Sequence, residues 1–277
     1  MASPLSAGVA LGNKRVPRTR AGLLGLLLAV LFAFEATAAP ALAYRVIHRY
    51  PHPEMSFTQG LELDGDTVLE SSGLYRRSYI QRWRLDSQQV IARRELPAAI
   101  FAEGLTQLGG RIYVLSWREQ KALVFDKTTL APLGEHAYRG EGWGLTHNGS
   151  ELIMSNGSDS LQFIDAATFQ VLRTLPVTDD GSPLAALNEL EWIPATPQHP
   201  TRLLANIWLT DTIVVIDPDS GAVTARLDLS KLYPKGQRSR RADVLNGIAY
   251  DPRDGTLLVT GKFWPHVYKL KLEAALR

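Results

Sequence analysis

One short phrase recurs five times along this chain of 277 residues. Each copy is three residues long: a polar or aromatic residue comes first, a glycine usually follows, and a leucine or isoleucine ends the phrase. The five copies are Gln59-Gly60-Leu61, Glu103-Gly104-Leu105, Trp143-Gly144-Leu145, Asn188-Glu189-Leu190 and Asn246-Gly247-Ile248. Their spacings are 44, 40, 45 and 58 residues. A four-stranded β-propeller blade occupies about 40–45 residues, so the spacing predicts one blade for each copy.

The residues between the copies have the composition of short strands. After each phrase come a polar turn, a second apolar run such as residues 112–115, and a third run that usually ends in aspartate, such as residues 124–126. A turn then leads to a fourth run, for example residues 222–227. Short runs rich in Val, Ile, Leu and Tyr between Gly, Asp and Ser turns indicate strands rather than helices. The sequence therefore predicts an all-β protein built from four-stranded antiparallel blades.

The last repeat supplies only three strands after Asn246. Residues 44–50 alternate as a strand before the first phrase, and we expect them to complete this last blade, so that strands from both termini close the ring. A six-bladed ring would need another phrase inside the fourth repeat. That repeat is longer because of two polar inserts, residues 194–202 and 231–243. The prediction is therefore a five-bladed β-propeller over residues 44–277.

The first 43 residues have the pattern of an export signal. Lys14, Arg15, Arg18 and Arg20 precede an apolar stretch over residues 21–34, and Ala41-Leu42-Ala43 resembles a signal-peptidase site. The alternative is an uncleaved membrane anchor, but 14 apolar residues fall short of the roughly 20 that span a bilayer. We expect cleavage near Ala43, export to the periplasm or the exterior, and no stable membrane association afterwards.

Charge and cysteine content exclude several function classes. The predicted signal contains four of the 30 Lys and Arg residues and one of the 28 Asp and Glu residues, which leaves 26 basic and 27 acidic residues in the mature chain. A nearly neutral protein gives no reason to expect a nucleic-acid partner. The one basic run, residues 235–241, is expected to be a solvated loop. With no cysteine in the sequence, disulfides, thiol nucleophiles and thiolate metal sites are excluded.

The repeat brings equivalent positions to one axis, where polar groups can converge on a ligand. The first residue of each phrase forms an inner ring, and residues at the ends of the second strands form another: Ser72, Trp117, Asn156, Trp208 and Lys262. Together they predict an apolar pocket with few polar groups, the usual form of a small-ligand site. Its expected members are Glu103, Lys262, Phe57, Gln59, Phe101, Trp117, Trp143, Asn156, Asn188 and Trp208.

This set of residues suits acid–base chemistry. A carboxylate among indoles should have a raised pKa and exchange protons near neutral pH. A lysine across the pocket could stabilise an oxyanion. Glu70 and Glu189 are rival carboxylates. Glu70 aligns with Leu115 and Met154 of other repeats, and Glu189 aligns with glycines, so neither occupies the position of Glu103 in its repeat. The glycine-rich residues 140–144 lack the spacing of a nucleotide-binding loop.

The motifs resemble those of the plant and bacterial type of glutaminyl-peptide cyclotransferase. The resemblance covers the whole mature region and includes residues 57–61 (FTQGL), 70–75 (ESSGLY), 101–106 (FAEGLT), 141–145 (EGWGL), 188–191 (NELE), 205–208 (ANIW) and 245–264 (LNGIAYDPRDGTLLVTGKFW). It implies a five-bladed propeller that converts N-terminal glutamine into pyroglutamate with loss of ammonia. The substrates would be peptides or proteins with an N-terminal Gln.

The resemblance also implies roles for the pocket residues. Glu103 would be the general acid/base, and Lys262 and amide groups would stabilise the oxyanion. The substrate would be bound by Phe57, Gln59, Phe101, Trp117, Trp143, Asn188 and Trp208. No cofactor is required, although the sequence leaves open a structural metal ion in the central channel. We expect a monomer. Two alternatives remain: a propeller that only binds a ligand, and a metal-dependent lactonase-like propeller.

Overall fold

The computed structural model describes residues 39–52 and 56–273, and within these ranges it is almost entirely β-structure. The strands form five four-stranded antiparallel sheets and one two-stranded hairpin. Blade 1 consists of β2 Thr58–Asp64, β3 Thr67–Ser72, β4 Tyr79–Arg84 and β5 Val90–Glu95. Blade 2 consists of β6 Ala102–Leu108, β7 Arg111–Ser116, β8 Lys121–Asp126 and β9 Pro132–Ala137. Blade 3 consists of β10 Leu145–His147, β11 Glu151–Met154, β12 Ser160–Asp165 and β13 Val171–Pro176.

The remaining strands complete the ring. The hairpin β14 Thr178–Asp179 and β15 Ser182–Pro183 follows blade 3. Blade 4 consists of β16 Leu187–Ile193, β17 Arg202–Ile207, β18 Thr212–Ile216 and β19 Val223–Asp228. Blade 5 consists of β20 Leu245–Asp251, β21 Thr256–Gly261, β22 His266–Leu272 and β1 Tyr44–Pro51. The described residues include one short 3₁₀ turn, η1 Lys235–Gln237, between blades 4 and 5.

The predicted five-bladed architecture is confirmed, including its closure. The innermost strands β2, β6, β10, β16 and β20 each contact the innermost strand of the next blade, and β20 contacts β2. At the outer edge of blade 5, β1 pairs antiparallel with β22, with Tyr44 opposite Leu272 and Pro51 opposite His266. The amino-terminal strand thereby supplies the fourth strand that the last repeat lacks. Because the ring is closed, every blade packs against two neighbouring blades.

The recurring phrase forms an irregularity at the start of each innermost strand. In four blades the pairing with the second strand shifts register where the phrase lies: between Thr58 and Gly60, Ala102 and Leu105, Leu187 and Leu190, and Leu245 and Ile248. In blade 3, β10 begins only at Leu145, directly after Trp143-Gly144. A β-bulge redirects the side chain next to it. The repeat seen in the sequence is therefore the feature that turns one side chain of each blade toward the axis.

Glycine within the phrase lets neighbouring blades approach each other closely. A Cβ atom at Gly60 would lie 2.5 Å from the backbone nitrogen of Leu105, in the phrase of blade 2. A Cβ atom at Gly104 would lie 2.6 Å from the carbonyl oxygen of Trp143, in the phrase of blade 3. Backbone atoms cannot move aside as a flexible side chain can. These positions therefore require glycine because the backbones of neighbouring blades touch there.

The hydrophobic core lies between the blades rather than inside one layer. Five clusters of buried apolar side chains each join two neighbouring blades. The cluster that joins blades 1 and 5 includes Trp83, which is fully buried, against Leu258 and Val267. Burying one large apolar side chain stabilises a fold by about 1.5–3 kcal/mol, so each interface contributes to holding the ring.

The predicted export signal lies mainly outside the described residues. Of residues 1–43, the structure describes only the last five. These run beside β19: the amide of Leu42 donates to the carbonyl of Arg226 over 2.7 Å, and the amide of Arg226 donates to the carbonyl of Pro40 over 2.9 Å. Within the described ranges, no helix has the length and apolar character needed to cross a membrane.

Candidate active site

A pocket of about 260 Å³ opens at one end of the central channel. Its lining includes nine of the ten residues that the sequence singled out: Phe57, Gln59, Phe101, Glu103, Trp117, Trp143, Asn188, Trp208 and Lys262. The inner-ring members come from the phrases, and the others precede an innermost strand or follow a second strand. Since the start of the first strand and the end of the antiparallel second strand meet at the same edge, every blade contributes to this pocket.

A repeated backbone contact fixes the second ring. The amide of Trp117 donates to the carbonyl of Phe101 over 3.0 Å, and the amide of Trp208 donates to that of Ala186 over 2.9 Å. The amide of Lys262 donates in the same way to Val244 over 3.0 Å. In each case the acceptor stands two residues before the inner-ring residue. Blade geometry therefore places Trp117, Trp208 and Lys262 at equivalent positions around the pocket.

Glu103 is a buried carboxyl group with one amide donor. Glu103 is only 6% exposed, and its Oε1 accepts a hydrogen bond from Gln59 Nε2 over 3.1 Å. Burial raises the pKa of Glu103 well above its ordinary value, and the nearby carboxylates Glu141 and Glu119 raise it further. The ammonium of Lys262 acts in the opposite direction without cancelling the effect. Glu103 can therefore hold or release a proton at a higher pH than an ordinary glutamate.

Lys262 is the cation of the pocket lining. It is also only 6% exposed, and its Nζ lies 4.9 Å from the centre of the Phe57 ring. Burial lowers the pKa of Lys262, while Glu103 and Asp243 act to raise it. Contact with the ring face stabilises the ammonium group where few water molecules can reach it.

The aromatic side chains form two continuous walls. Phe101 contacts Phe57 with ring centres 6.1 Å apart and Trp117 with centres 5.5 Å apart. Trp143 and Trp208 meet edge to face at 5.3 Å. Such pairs give a rigid apolar lining, because aromatic side chains have few rotamers and stabilise one another beyond their buried area.

Both walls are anchored by one carboxylate, Glu141. Its Oε2 accepts from the indole N–H of Trp117 over 2.8 Å and from that of Trp143 over 3.0 Å. Its Oε1 accepts from Nε of Arg118 over 3.0 Å, and that guanidinium group stacks on the Trp117 ring at 3.7 Å. Partial burial works to raise the pKa of Glu141, but the hydrogen bonds from Trp143, Trp117 and Arg118 outweigh it and lower the pKa. Glu141 is therefore ionised and fixes both indoles.

The two pocket amides offer a ligand both acceptors and donors. Gln59 already uses Nε2 to bind Glu103, and its buried Oε1 has no partner among the described residues. Asn188 likewise has a buried Oδ1 without a partner in the described part of the chain. Gln59 therefore presents an acceptor for an N–H group and, since its amide nitrogen carries two hydrogens, one further donor besides the one that binds Glu103. Both amides expected to hold the oxyanion can therefore donate to it, Gln59 with its second Nε2 hydrogen and Asn188 with its Nδ2.

Glu70, the first rival carboxylate, has a structural position. Its Oε1 binds His52 Nε2 at 3.0 Å and accepts from Thr58 Oγ1 over 2.8 Å, while its Oε2 accepts from Gln81 Nε2 over 2.9 Å. The side chain is fully buried and does not line the pocket. All its close partners belong to the protein, so it joins blade 1 to the segment that follows β1.

Glu189 and the remaining inner amide bind backbone groups. Glu189 accepts from the amide of Leu61 over 3.2 Å and from that of Ile248 over 2.8 Å, linking blades 4, 1 and 5. Asn246 Nδ2 donates to the carbonyl of Thr58 over 3.0 Å. No group of three or more His, Asp or Glu side chains within residues 39–52 and 56–273 has the arrangement of a metal site.

Sequence reasoning missed two lining residues and one anchor. Leu74 and Asp243 also line the pocket, from connections that carry no repeated signal. Glu141 stood in a recognised motif without a role, and its position two residues before Trp143 is the only local hint. Asn156, expected in the second ring, does not line the pocket; its Oδ1 accepts from the amide and hydroxyl groups of Ser158.

The comparisons with known proteins agree on one family. A family model described as Glutamine cyclotransferase matches residues 23–272. A curated glutaminyl-peptide cyclotransferase from Arabidopsis thaliana is 36% identical over 236 residues, which cover 83% of this chain and 71% of the relative. The crystal structure of Myxococcus xanthus glutaminyl cyclase matches with a TM-score of 0.76 and 31% identity, covering 86% of this chain and 99% of that one. The resemblance noted in the motifs is confirmed: the chain belongs to the glutamine cyclotransferase family.

Proposed function

We propose that this protein is a glutaminyl-peptide cyclotransferase that acts on peptides and proteins with an N-terminal glutamine. In this reaction the substrate's α-amino nitrogen attacks the side-chain carbonyl carbon. A lactam C–N bond forms, the bond from that carbon to the side-chain nitrogen breaks, and ammonia leaves. Both reacting groups belong to one residue, so a pocket needs only to hold the folded conformer in which they meet.

Glu103 moves the proton in this scheme. Its carboxylate takes a proton from the attacking amine and passes it to the departing nitrogen. The α-amino group has an ordinary pKa of about 7.7–8.0, so a useful fraction is already neutral near pH 7.5. A carboxyl group with a raised pKa is suited to giving the proton back, because general acids work best when their pKa lies near the working pH.

Lys262 and Asn188 stabilise the negative charge on the tetrahedral intermediate. In that intermediate the former side-chain oxygen carries the charge, and both residues line the pocket that would hold it. The unpartnered oxygens of Gln59 and Asn188 accept from the substrate's N–H groups. The aromatic walls hold the aliphatic part of the glutamine side chain and exclude water, which disfavours hydrolysis to glutamate.

The observation that carries the proposal is the buried Glu103 carboxyl, which binds the Gln59 amide and shares a pocket of about 260 Å³ with the buried Lys262. Incubation of a Gln-initiated peptide with the protein should release ammonia and give a product lighter by one ammonia in mass spectrometry. Binding without turnover would support the ligand-binding alternative. Turnover that is lost on chelation and restored by calcium or zinc, without change in fold, would support the metal-dependent one.

We also propose that the protein is exported and that it acts as a monomer without a required cofactor. The support for export is the order of basic, apolar and small residues at the amino terminus. Cleavage near Ala43 would also leave β1 intact. Activity in periplasmic or culture fractions, with no change on chelation, is the expected result.

A further inference from the structure

A basic loop lies beside the active-site pocket. It belongs to the connection between β19 and β20 and contains Lys235, Arg238, Arg240 and Arg241. A second depression of about 390 Å³ has four charged residues in its lining, Lys235, Arg238, Asp211 and Asp243, and it shares Asp243 with the active-site pocket. It also includes Leu209, the residue after Trp208 of the pocket wall. The two depressions therefore adjoin.

The loop is held in place by one of its own cations. Arg238 Nη2 lies 2.5 Å from Asp211 Oδ1, and its Nε donates to the carbonyl of Tyr233 over 2.8 Å. The guanidinium group also lies 5.0 Å from the ring centre of Trp264. The amide of Ser239 donates to the hydroxyl of Tyr233 over 2.8 Å. The backbone of the run is therefore positioned by contacts with blade 5 and with the Asp211 turn.

Two other cations of the run are left for a partner. Lys235 and Arg240 are exposed, and neither has a carboxylate partner among the residues that the structure describes. A peptide whose first residue occupies the pocket must leave it across the rim. Each further residue of an extended peptide advances by about 3.3 Å, so the adjoining depression lies within reach of the next few side chains.

We propose that residues 235–241 form a subsite that favours acidic side chains shortly after the N-terminal glutamine of a peptide substrate. The inference rests on the proposed function and specifies its substrates further. The match is electrostatic: exposed cations attract carboxylates within a Debye length, about 8–10 Å at moderate salt. The loop acts on the bound peptide and not on the reacting atoms, so a substrate that ends at the second residue is indifferent to it.

The test compares three substrates: Gln-Ala, Gln-Ala-Glu-Glu and Gln-Ala-Lys-Lys, each amidated at its carboxyl end. For the wild type, kcat/KM should be about 3- to 10-fold higher for the acidic than for the basic tetrapeptide, as expected for one or two exposed ion pairs. The ratio should fall toward one as the salt concentration rises. Lys235→Glu should abolish or reverse the preference while kcat/KM for Gln-Ala amide stays unchanged.

Lys231→Glu is the matched control, because Lys231 is exposed in the same connection but lines neither depression. It should leave the preference intact. Lys235→Ala is a second variant in case Lys235→Glu does not fold, and it should also reduce the preference, because Lys235 lines the adjoining depression. Equal kcat/KM for both tetrapeptides, or an equal effect of the Lys231 and Lys235 variants, overturns the subsite. If Gln-Ala amide itself is not cyclised, the proposed function has failed, and the subsite falls with it.

Discussion

His52 Nε2 lies 3.0 Å from Glu70 Oε1, and both side chains are fully buried. The other ring nitrogen of His52, Nδ1, lies 3.0 Å from the carbonyl oxygen of Trp264. The lowered pKa of Glu70 keeps it ionised, so both neighbours are acceptors, and the ring satisfies both contacts as an imidazolium with two N–H donors. This buried ion pair joins blade 1 to the segment after β1 and to the β21–β22 connection, where the ring of blades closes.

The pair leads to a stability prediction. Glu70→Gln should lower the free energy of unfolding by about 3–5 kcal/mol, because it leaves a buried imidazolium without its counter-charge. Activity per folded molecule should change little, since Glu70 does not line the pocket. Urea unfolding and steady-state kinetics measure the two effects. Glu95→Gln, at an exposed carboxylate of the same blade, is the control. A Glu70→Gln variant that is folded and stable but inactive would show that the acid/base role was assigned to the wrong residue.

The same pair predicts a pH window for stability. Burial opposes the charge on His52, but Glu70 and the Trp264 carbonyl outweigh it and raise the pKa of His52. Burial likewise opposes the charge on Glu70, but His52, Gln81 and Thr58 lower its pKa. The pair's contribution is therefore lost as pH rises through the raised pKa of His52 or falls through the lowered pKa of Glu70. Unfolding measured across pH should show a wild-type advantage over Glu70→Gln that is largest between these limits.

Glu103→Gln should remove proton transfer while preserving size. General acid–base groups contribute about 10²–10⁴-fold, so kcat should fall by that factor with little change in substrate affinity. Lys262→Ala should also lower kcat, by about 10²-fold if oxyanion stabilisation is worth roughly 3 kcal/mol. Ammonia release measures turnover, and circular dichroism checks folding. Near-full kcat in a folded Glu103→Gln variant would refute the assigned role.

Glu141→Gln should shift the acidic limb of the pH–rate profile. The Glu141 carboxylate helps to raise the pKa of Glu103, and activity that needs ionised Glu103 is lost as pH falls through that pKa. Removing the charge should therefore move the limb to lower pH, while an amide oxygen can still accept from the indoles of Trp117 and Trp143. A purely structural role for Glu141 would lower activity without moving the limb. Glu135→Gln, at an exposed carboxylate on β9, should leave the profile unchanged.

Gly104→Ala should destabilise the fold by about 1–3 kcal/mol or more, because the added methyl group meets backbone atoms of blade 3. Gly236→Ala is the matched control, since a Cβ atom there has no neighbour within 4 Å among the described residues. It should change the free energy of unfolding by no more than about 0.5 kcal/mol. Thermal unfolding of both variants measures the difference, and equal stability would contradict the close-approach argument.

The exported protein should begin near Tyr44, as Ala41-Leu42-Ala43 predicts. Amino-terminal sequencing of material from the periplasm or the medium provides the measurement. Cleavage there removes the hydrogen bonds of Pro40 and Leu42 with Arg226 but leaves β1 whole. A start at Ala39, after Ala36-Thr37-Ala38, would retain those bonds and contradict the predicted site, and an intact Met1 in a membrane fraction would contradict cleavage altogether.

The sequence by itself determined the blade count, the closure by residues 44–50 and the nine pocket residues. It could do so because strand period, turn residues and a phrase repeated every 40 to 58 residues are local properties, and ring symmetry converts them into position. It also separated Glu103 from Glu70 and Glu189, because neither rival aligned with the inner-ring position.

Only the tertiary structure decided what those side chains do to one another. That Glu141 anchors two indoles, that Gln59 binds Glu103, and that His52 is paired with Glu70 are contacts between residues 2 to 44 positions apart. The same holds for the basic loop. The sequence predicts a solvated segment, and only the structure shows that the depression it lines shares Asp243 with the active-site pocket. Such contacts depend on how the blades pack around the axis. No local pattern of hydrophobicity or turn residues specifies the distance between side chains of different blades.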